Sequence, residues 1–270
     1  MSGYRFVSFL TDYGLDDGFV ATCHGVLLGI VPQVRIIDVS HTVPPQDIRK
    51  GARLLARVIP YLPIGVHVAV VDPGVGGARK AIAVETARGI FVGPDNGLLS
   101  WAIDEAGGPV TSYELTNSRL FRSPVSRTFH GRDIFMPVAG HLAAGLALPE
   151  VGPELDPGSL VRLPNPVDRV TETGLATEVI LVDHFGNVHL ASSSAQLDNL
   201  SITLGDHVRC VTPAGEWVAK FVEVFEDAHE GELVFYADAV GQLTIAVSSG
   251  NAVRRLGVTP GMVVTLGVRS

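Results

Sequence analysis

HVAVVDPGVGGAR, residues 67–79, carries the strongest structural signal in the chain. It begins as a continuous apolar run rich in valine, the pattern of a strand that is buried on both faces. The run ends at Asp72 and gives way to a loop with three glycines, followed by Arg79. Open α/β sheets place their ligand sites at the C-terminal ends of such strands, whereas Asp-Pro-Gly is also ordinary turn chemistry. The stretch therefore predicts a sheet strand that ends in either a site or a plain turn.

Strand and helix patterns alternate on both sides of that stretch through residues 1–155. One predicted helix has apolar residues spaced from Val20 to Ile30, with Asp16 or Asp17 as its N-cap. Asp95 is the predicted cap of a short helix, and the run that follows His130 is predicted to be helical despite a proline. This alternation predicts an N-terminal α/β domain with a largely parallel central sheet.

The pattern changes in the second half of the chain. Residues 156–168 contain several prolines and no periodicity, which predicts a linker. Residues 169–270 contain seven short strand-like segments separated by turn residues, and no segment with a helical pattern. This spacing predicts a C-terminal all-β domain, either a small barrel or a sandwich.

Composition argues against several classes of protein. The formal net charge is −8 without a basic cluster, which disfavours nucleic acid and anionic membranes as partners. No apolar run reaches the length of a membrane span, and the N-terminus lacks a signal-peptide pattern. The two cysteines, Cys23 and Cys210, have no metal or redox spacing, so we expect a cytoplasmic protein with reduced thiols. The histidines include no His-x-x-x-His pair, so we expect no metal and no cofactor.

Three acidic residues stand where strands are predicted to end, at Asp12, Asp38 and Asp72. If the strands are parallel, these ends share one edge of the sheet and the carboxylates can converge. Asp38 is interpreted as a turn or cap residue, because no chemical motif follows it. Asp12 is followed by further acids, more than one cap requires, and paired acids can bind vicinal sugar hydroxyls or a cation.

Two further polar clusters follow. His130-Gly131-Arg132-Asp133 begins a predicted helix, and together with Asp72 and Arg79 it allows a shared site. The second cluster, residues 183–189, reads DHFGNVH and follows a predicted strand. Its aromatic residue between Asp and Asn suits stacking on a base, although a glycine-containing hairpin explains the pattern equally well.

Five motifs resemble, in the same order and over nearly the whole chain, the S-adenosyl-L-methionine hydroxide adenosyltransferases, which are related to the fluorinases and chlorinases. They are FLTDYG at 9–14, VDPGVG at 71–76, PDNG at 94–97, TFHGRD at 128–133 and DHFGNV at 183–188. The resemblance implies metal-independent hydrolysis of S-adenosylmethionine into adenosine and L-methionine. It also implies a homotrimer that binds its substrate between neighbouring subunits.

The resemblance assigns roles to particular residues. It implies that the catalytic groups that orient and activate the attacking water are Asp72, Arg79 and His130. Asp12 matches the ribose ligand, and the remaining substrate-binding matches are Asp17 and Asp183 near the methionine end, and Phe185, Asn187 and Phe225 at the adenine. Two departures concern the methionine end: Gln46 replaces a tryptophan of the fluorinating relatives, and Asp238-Ala239 replaces the commoner Asn-Ser.

Two alternatives to a hydrolase remain open at this stage. A halide-dependent adenosyltransferase is disfavoured by Asp72 and His130, because the halogenating relatives have an aromatic or small apolar residue in place of the Asp and lack the His. A non-catalytic sensor of adenosine or S-adenosylmethionine is compatible with the same motifs, because binding and catalytic residues overlap.

Overall fold

The computed structural model describes residues 3–172, 174–198 and 200–267. The chain divides into two compact units between Leu163 and Pro164, inside the stretch predicted as a linker. The part of that stretch before the division packs on the first unit, where the backbone N–H of Val161 donates to the Asp95 carboxylate.

In the described part of the first unit, seven strands form one sheet in the order β2-β1-β3-β5-β4-β6-β7. The strands β2, β1, β3 and β5 are parallel, and the other three extend the sheet antiparallel. This confirms the largely parallel sheet. The strands are β1 (Phe6–Thr11), β2 (Arg35–Ser40), β3 (Gly65–Val70), β4 (Ala81–Thr86), β5 (Gly89–Pro94), β6 (Thr111–Glu114) and β7 (Glu154–Leu155), and the helices are α1 (Phe19–Ile30), α2 (Ile48–Val58), α3 (Ser100–Glu105) and α4 (Met136–Ala143).

Strand β3 is buried along its whole length because helices cover both faces of the sheet. Val66 and Val68 belong to an apolar cluster with residues of α1 and α4, and Ala69 belongs to another with residues of α2 and α3. Strands buried on both faces have continuous apolar sequences, which explains the unbroken run in this stretch. Because β1 and β3 are parallel with Thr11 opposite Val70, Asp12 and Asp72 emerge at the same edge.

Two local predictions about helix caps are wrong, whereas the helix predicted after His130 is present. Helix α1 has Gly18 as its N-cap and no side-chain cap, while Asp16 and Asp17 lie exposed in the preceding loop. Asp95 does not cap α3, because the Val161 N–H donates to its carboxylate instead. The helix after His130 begins with a π-helical turn, Gly131–Phe135, and becomes α-helical at Met136.

The second unit is an all-β domain, as predicted. Its sheet has the order β10-β14-β13-β12-β11-β15-β9-β8, and a further pairing of β10 with β9 closes a seven-stranded barrel with β8 outside it. The strands are β8 (Asp168–Thr171), β9 (Gly174–Val182), β10 (Val188–Ser193), β11 (His207–Thr212), β12 (Gly215–Phe221), β13 (Leu233–Ala237), β14 (Gln242–Val247) and β15 (Val263–Gly267).

The expectation of no helix in this half is wrong. Two short helices occur, α5 (Ala195–Asp198) and α6 (Ala252–Leu256), and neither is long enough to display a helical period in sequence. None of the helices formed by the described residues is long and apolar enough to cross a membrane.

Candidate active site

A cavity of about 300 Å³ opens at the sheet edge where β1 and β3 end. Three of the residues predicted to form the site line it: Asp12, Asp72 and His130. Tyr13 and Gln46 contribute further to its wall. The parallel register of the strands thus brings together residues that are far apart in sequence.

Arg79 joins Asp72 and His130 into one hydrogen-bonded triad. Its Nε donates to Asp72 Oδ1 at 3.1 Å and Oδ2 at 3.0 Å, and its Nη2 donates to Oδ2 at 2.5 Å. The same Nη2 lies 2.8 Å from His130 Nδ1. The Asp72 side chain is 4% exposed and that of Arg79 12%, so the ion pair is held largely away from water. Bidentate pairing of this kind fixes both the position and the orientation of the carboxylate.

The hydrogen bond to Arg79 determines which nitrogen of His130 carries the hydrogen. A guanidinium has only donors, so His130 Nδ1 must accept, and the neutral ring keeps its hydrogen on Nε2. Burial lowers the pKa of His130 below its ordinary value, and the Arg79 charge lowers it further. His130 is therefore a neutral hydrogen-bond donor through Nε2 at pH 7.

Two glycines, Gly76 and Gly131, allow close packing between the loops that carry the triad and their neighbours. A Cβ on Gly76 would lie 2.3 Å from the carbonyl oxygen of Arg127, and one on Gly131 would lie 2.0 Å from the Tyr13 hydroxyl. Gly76 also has a φ of +73°, which favours glycine. The glycine loop after Asp72 therefore packs directly against the segment that leads to His130.

Asp133 holds the segment before His130 in place, and the sequence patterns assigned it no role of its own. The Asp133 carboxylate is fully buried, accepts two hydrogen bonds from Arg132 and accepts the backbone N–H of Ser126 at 2.8 Å. Burial acts to raise the pKa of Asp133, but these hydrogen bonds outweigh it and hold the pKa below its ordinary value. The only sequence signal was its place beside Arg132 in the HGRD motif.

Asp12 is held by the loop that follows β2. Its Oδ2 accepts the backbone N–H of Gln46 at 2.8 Å, and Gln46 has a φ of +67°, an unusual conformation for a non-glycine residue. This backbone strain lies beside the cavity, where such conformations concentrate. Gln46 thus contributes to the site through its backbone.

In the second unit, three of the predicted site residues, Asp183, Phe185 and Asn187, are joined by hydrogen bonds. The Asp183 carboxylate accepts hydrogen bonds from the Phe185 and Asn187 backbones and from the Asn187 side chain. Its Oδ2 also lies 3.3 Å from His189 Nε2, while His189 Nδ1 lies 3.2 Å from Asp238 Oδ2. Burial acts to raise the pKa of Asp183, but the hydrogen bonds from Asn187 and His189 outweigh it and lower that pKa.

The two aromatic residues predicted to contact the adenine are accessible. Phe185 is 74% exposed, and the half-exposed Phe225 packs edge-on against Tyr236 with ring centroids 5.0 Å apart. His189 is a polar residue of this site that no sequence pattern indicated, although it closes the DHFGNVH motif and lies between Asp183 and Asp238.

Comparison with known proteins identifies the family. The family model for the SAM hydroxide adenosyltransferase N-terminal domain matches residues 7–152, and the C-terminal domain model matches residues 177–265. The chain belongs to the SAM hydroxide adenosyltransferase family. It is 51% identical over 261 residues to an (R)-S-adenosyl-L-methionine hydrolase of Salinispora tropica, covering 97% of each chain.

More distant relatives also match over nearly the whole chain, and one solved structure has the same fold. An (R)-S-adenosyl-L-methionine hydrolase of Thermus thermophilus is 39% identical, covering 97% of this chain and 99% of its own, and a fluorinase of Actinoplanes is 29% identical, covering 98% of each. A crystal structure of a conserved protein from Thermotoga maritima superposes with a TM-score of 0.91 at 38% identity, covering 97% of this chain and all of that one.

Two acidic residues that the sequence singled out in the first unit lie outside the cavity wall: Asp17, which the resemblance places near the methionine end, and Asp38, which it does not include. Asp17 lies exposed in the loop before α1 and does not contribute to the wall of the cavity. Asp38, interpreted as a turn or cap residue, instead lies within β2, where its Oδ1 is 2.9 Å from Nε2 of both His24 and His41. The described residues contain one group with the composition of a metal-ligand set, His24, Asp38 and His41, and none of the three lines the cavity. The expectation that the reaction uses no metal stays a prediction.

Proposed function

We propose that this chain hydrolyses S-adenosyl-L-methionine to adenosine and L-methionine, and that its substrate is the (R) epimer at sulfur. The observation that carries the proposal is the Asp72–Arg79–His130 triad at the wall of the cavity. The relatives named (R)-S-adenosyl-L-methionine hydrolases, at 39–51% identity, support the choice of substrate and epimer.

The chemistry requires more help for the nucleophile than for the leaving group. Attack at ribose C5′ breaks the bond to a sulfonium and releases a neutral thioether, so no acid is needed at sulfur. Water is a weak nucleophile, and it must be aligned with C5′ and lose a proton as the C–O bond forms. The site needs a hydrogen-bond acceptor for water and a rigid frame around it.

The triad meets both needs. Asp72 accepts a hydrogen of the attacking water and takes its proton as the new bond forms, and then releases that proton to solvent. His130 donates its Nε2 hydrogen to the same water, because its Nδ1 is occupied by Arg79. Arg79 holds the two groups at a fixed separation and balances the Asp72 charge. The Asp72 carboxylate also disfavours a halide at this position, because both are anions.

The other predicted residues bind substrate in this proposal. Asp12 binds the ribose hydroxyls, and Phe185, Asn187 and Phe225 contact the adenine. Asp17 and Asp183 lie at the methionine end, where carboxylates suit an ammonium group.

We propose further that the chain is a homotrimer. Helix α1 supports self-association: it contains no charged Asp, Glu, Lys or Arg, and its exposed side includes Ala21, Gly25 and Leu28. Sedimentation velocity measures the assembly, and a fully active monomer would contradict it.

The decisive experiment separates the two sulfonium epimers. Each is incubated with purified protein in H₂¹⁸O, and the products are identified by mass. We expect adenosine carrying one ¹⁸O at the 5′ oxygen, together with methionine, from the (R) epimer. A parallel reaction in chloride tests for 5′-chloro-5′-deoxyadenosine.

Asp95→Asn is the matched control for Asp72→Asn, because Asp95 is a half-buried carboxylate outside the cavity wall that accepts a backbone N–H. We expect it to keep the wild-type turnover. Binding of adenosine without turnover of either epimer would identify a sensor, and the chlorinated product would identify a halogenating enzyme. Either result would overturn the proposal.

A further inference from the structure

A second group of side chains converges outside the cavity wall, and none of the roles given above uses it. His24 from α1, Asp38 from β2 and His41 from the following loop form it, and we call it the His24–Asp38–His41 cluster. Their ligand atoms lie within 4.8 Å of one another, and both Nε2 atoms are 2.9 Å from the same oxygen, Asp38 Oδ1.

We propose that the His24–Asp38–His41 cluster is a zinc site that links α1 to β2 and to the loop after β2, beside the residues that hold Asp12. Two imidazole nitrogens and one carboxylate oxygen are a donor set that Zn²⁺ accepts, with metal–ligand distances of about 2.0–2.2 Å. Mg²⁺ and Ca²⁺ prefer sets made only of oxygen, so they are poor fits. The place of zinc here is accessory, because the proposed hydrolysis uses Asp72, Arg79 and His130 alone.

The two rings are held in place by their surroundings. The fully buried Phe9 packs against both, with ring centroids 4.9 Å from His41 and 6.0 Å from His24. His41 is 3% exposed, and its Nδ1 lies 2.8 Å from Thr11 Oγ1. A hydrogen-bonding partner on the second ring nitrogen is the arrangement that orients a metal-binding histidine.

Solvent can reach the site on its carboxylate side. The Asp38 side chain is 43% exposed and that of His24 24%, so Asp38 has room to move and admit an ion between the ligand atoms. Three protein ligands with an accessible side leave a coordination position for water, which completes a tetrahedron around Zn²⁺.

Zinc binding would reverse one hydrogen bond near the cavity. Without metal, His41 donates from Nε2 to Asp38, and a ring with its hydrogen on Nε2 accepts the Thr11 hydroxyl at Nδ1. Coordination uses the Nε2 lone pair, so the ring hydrogen is then on Nδ1, which donates to Thr11 Oγ1.

Hydrogen bonds connect Thr11 and His41 to the residues on either side of Asp12. Thr11 precedes Asp12, and its Oγ1 also accepts the backbone N–H of Tyr13 at 3.2 Å. The carbonyl oxygen of His41 accepts the backbone N–H of Gly14 at 2.7 Å. The ion would therefore tighten the contact between the loop after β1 and the loop after β2, which together hold Asp12.

Calorimetric titration of tag-free, chelator-treated protein with ZnCl₂ tests the proposal without substrate, so its outcome is independent of the proposed hydrolysis. We expect one saturable site per chain, a higher melting temperature with zinc, and visible absorption from four-coordinate cobalt when CoCl₂ is used as a probe. His24→Gln should weaken zinc binding at least about 100-fold, the upper end of the loss caused by removing a partner of a ligand.

His207→Gln is the matched control, because His207 is a half-exposed histidine outside the cluster, with its Nε2 3.9 Å from Glu232 Oε1. It should bind zinc as wild type does. Asp38→Asn provides a second test if the His24 variant does not fold. Wild-type protein without a saturable site, or unchanged binding in the folded variants, would overturn the zinc assignment.

Discussion

The change Asp72→Asn isolates the charge of the residue on which the proposed mechanism depends. The substitution keeps the size of the side chain, and the asparagine oxygen still accepts from Arg79. It removes the negative charge, and it turns an amide NH₂ toward either Arg79 or the attacking water. Water then loses the acceptor for its proton, while the cavity keeps its shape.

The substitution should have two separate effects, one on folding stability and one on the rate of reaction. Removing one partner of a buried ion pair costs about 3–5 kcal/mol of folding stability. We expect about 3 kcal/mol here, because Arg79 keeps its contact with His130 and the asparagine oxygen still accepts. A positioned acid–base group contributes about 10²–10⁴-fold in rate, so kcat should fall by about 10³-fold, or about 4 kcal/mol of barrier.

The assay must keep these effects apart. Chemical denaturation measures the loss of stability, and kcat is then measured at a temperature at which the variant is fully folded. Calorimetry with adenosine reports binding, which we expect to change little, because Asp72 acts on water. Near-normal kcat with collapsed binding would refute this reasoning and make Asp72 a substrate ligand.

Four further outcomes are expected. Asp12→Ala should raise KM with little change in kcat, since it removes ribose contacts made before reaction; a kcat-only effect in steady-state kinetics would contradict this. The pH profile of kcat/KM should lose activity as pH falls through a His130 pKa below 6.5, because a protonated Nδ1 would face the Arg79 donors; activity that increases on acidification would argue for an imidazolium. EDTA should leave kcat unchanged, as no proposed step uses metal, and rescue by a divalent ion would count against the site. Asp133→Asn should lower the free energy of unfolding by about 3–5 kcal/mol in urea, because it uncouples a buried carboxylate from Arg132.

Local sequence patterns predict the strands well and the helix ends poorly. The strand before Asp72 has a continuous apolar run because both of its faces are buried, and that property is visible residue by residue. A capping residue is harder to predict, because Asp16, Asp17 and Asp95 satisfy the same pattern whether or not the helix begins beside them. Helix α1 begins beyond Asp16 and Asp17, with Gly18 at its N-cap, and the Asp95 carboxylate is engaged by the tertiary bond from Val161.

The sequence by itself determined the two-part architecture, the strand that ends at Asp72 and, by its resemblance to a known family, the members of the catalytic triad. Only the tertiary structure decided that the Arg79 guanidinium contacts both Asp72 and His130, which follows Arg79 by 51 residues. That contact in turn decides which nitrogen of His130 carries the hydrogen. The tertiary structure also decided that His24, Asp38 and His41 converge. The physical reason is that periodicity records only which face of an element is buried. The distance between two side chains depends on the order β2-β1-β3 of the sheet, which is determined by pairings between strands far apart in the chain.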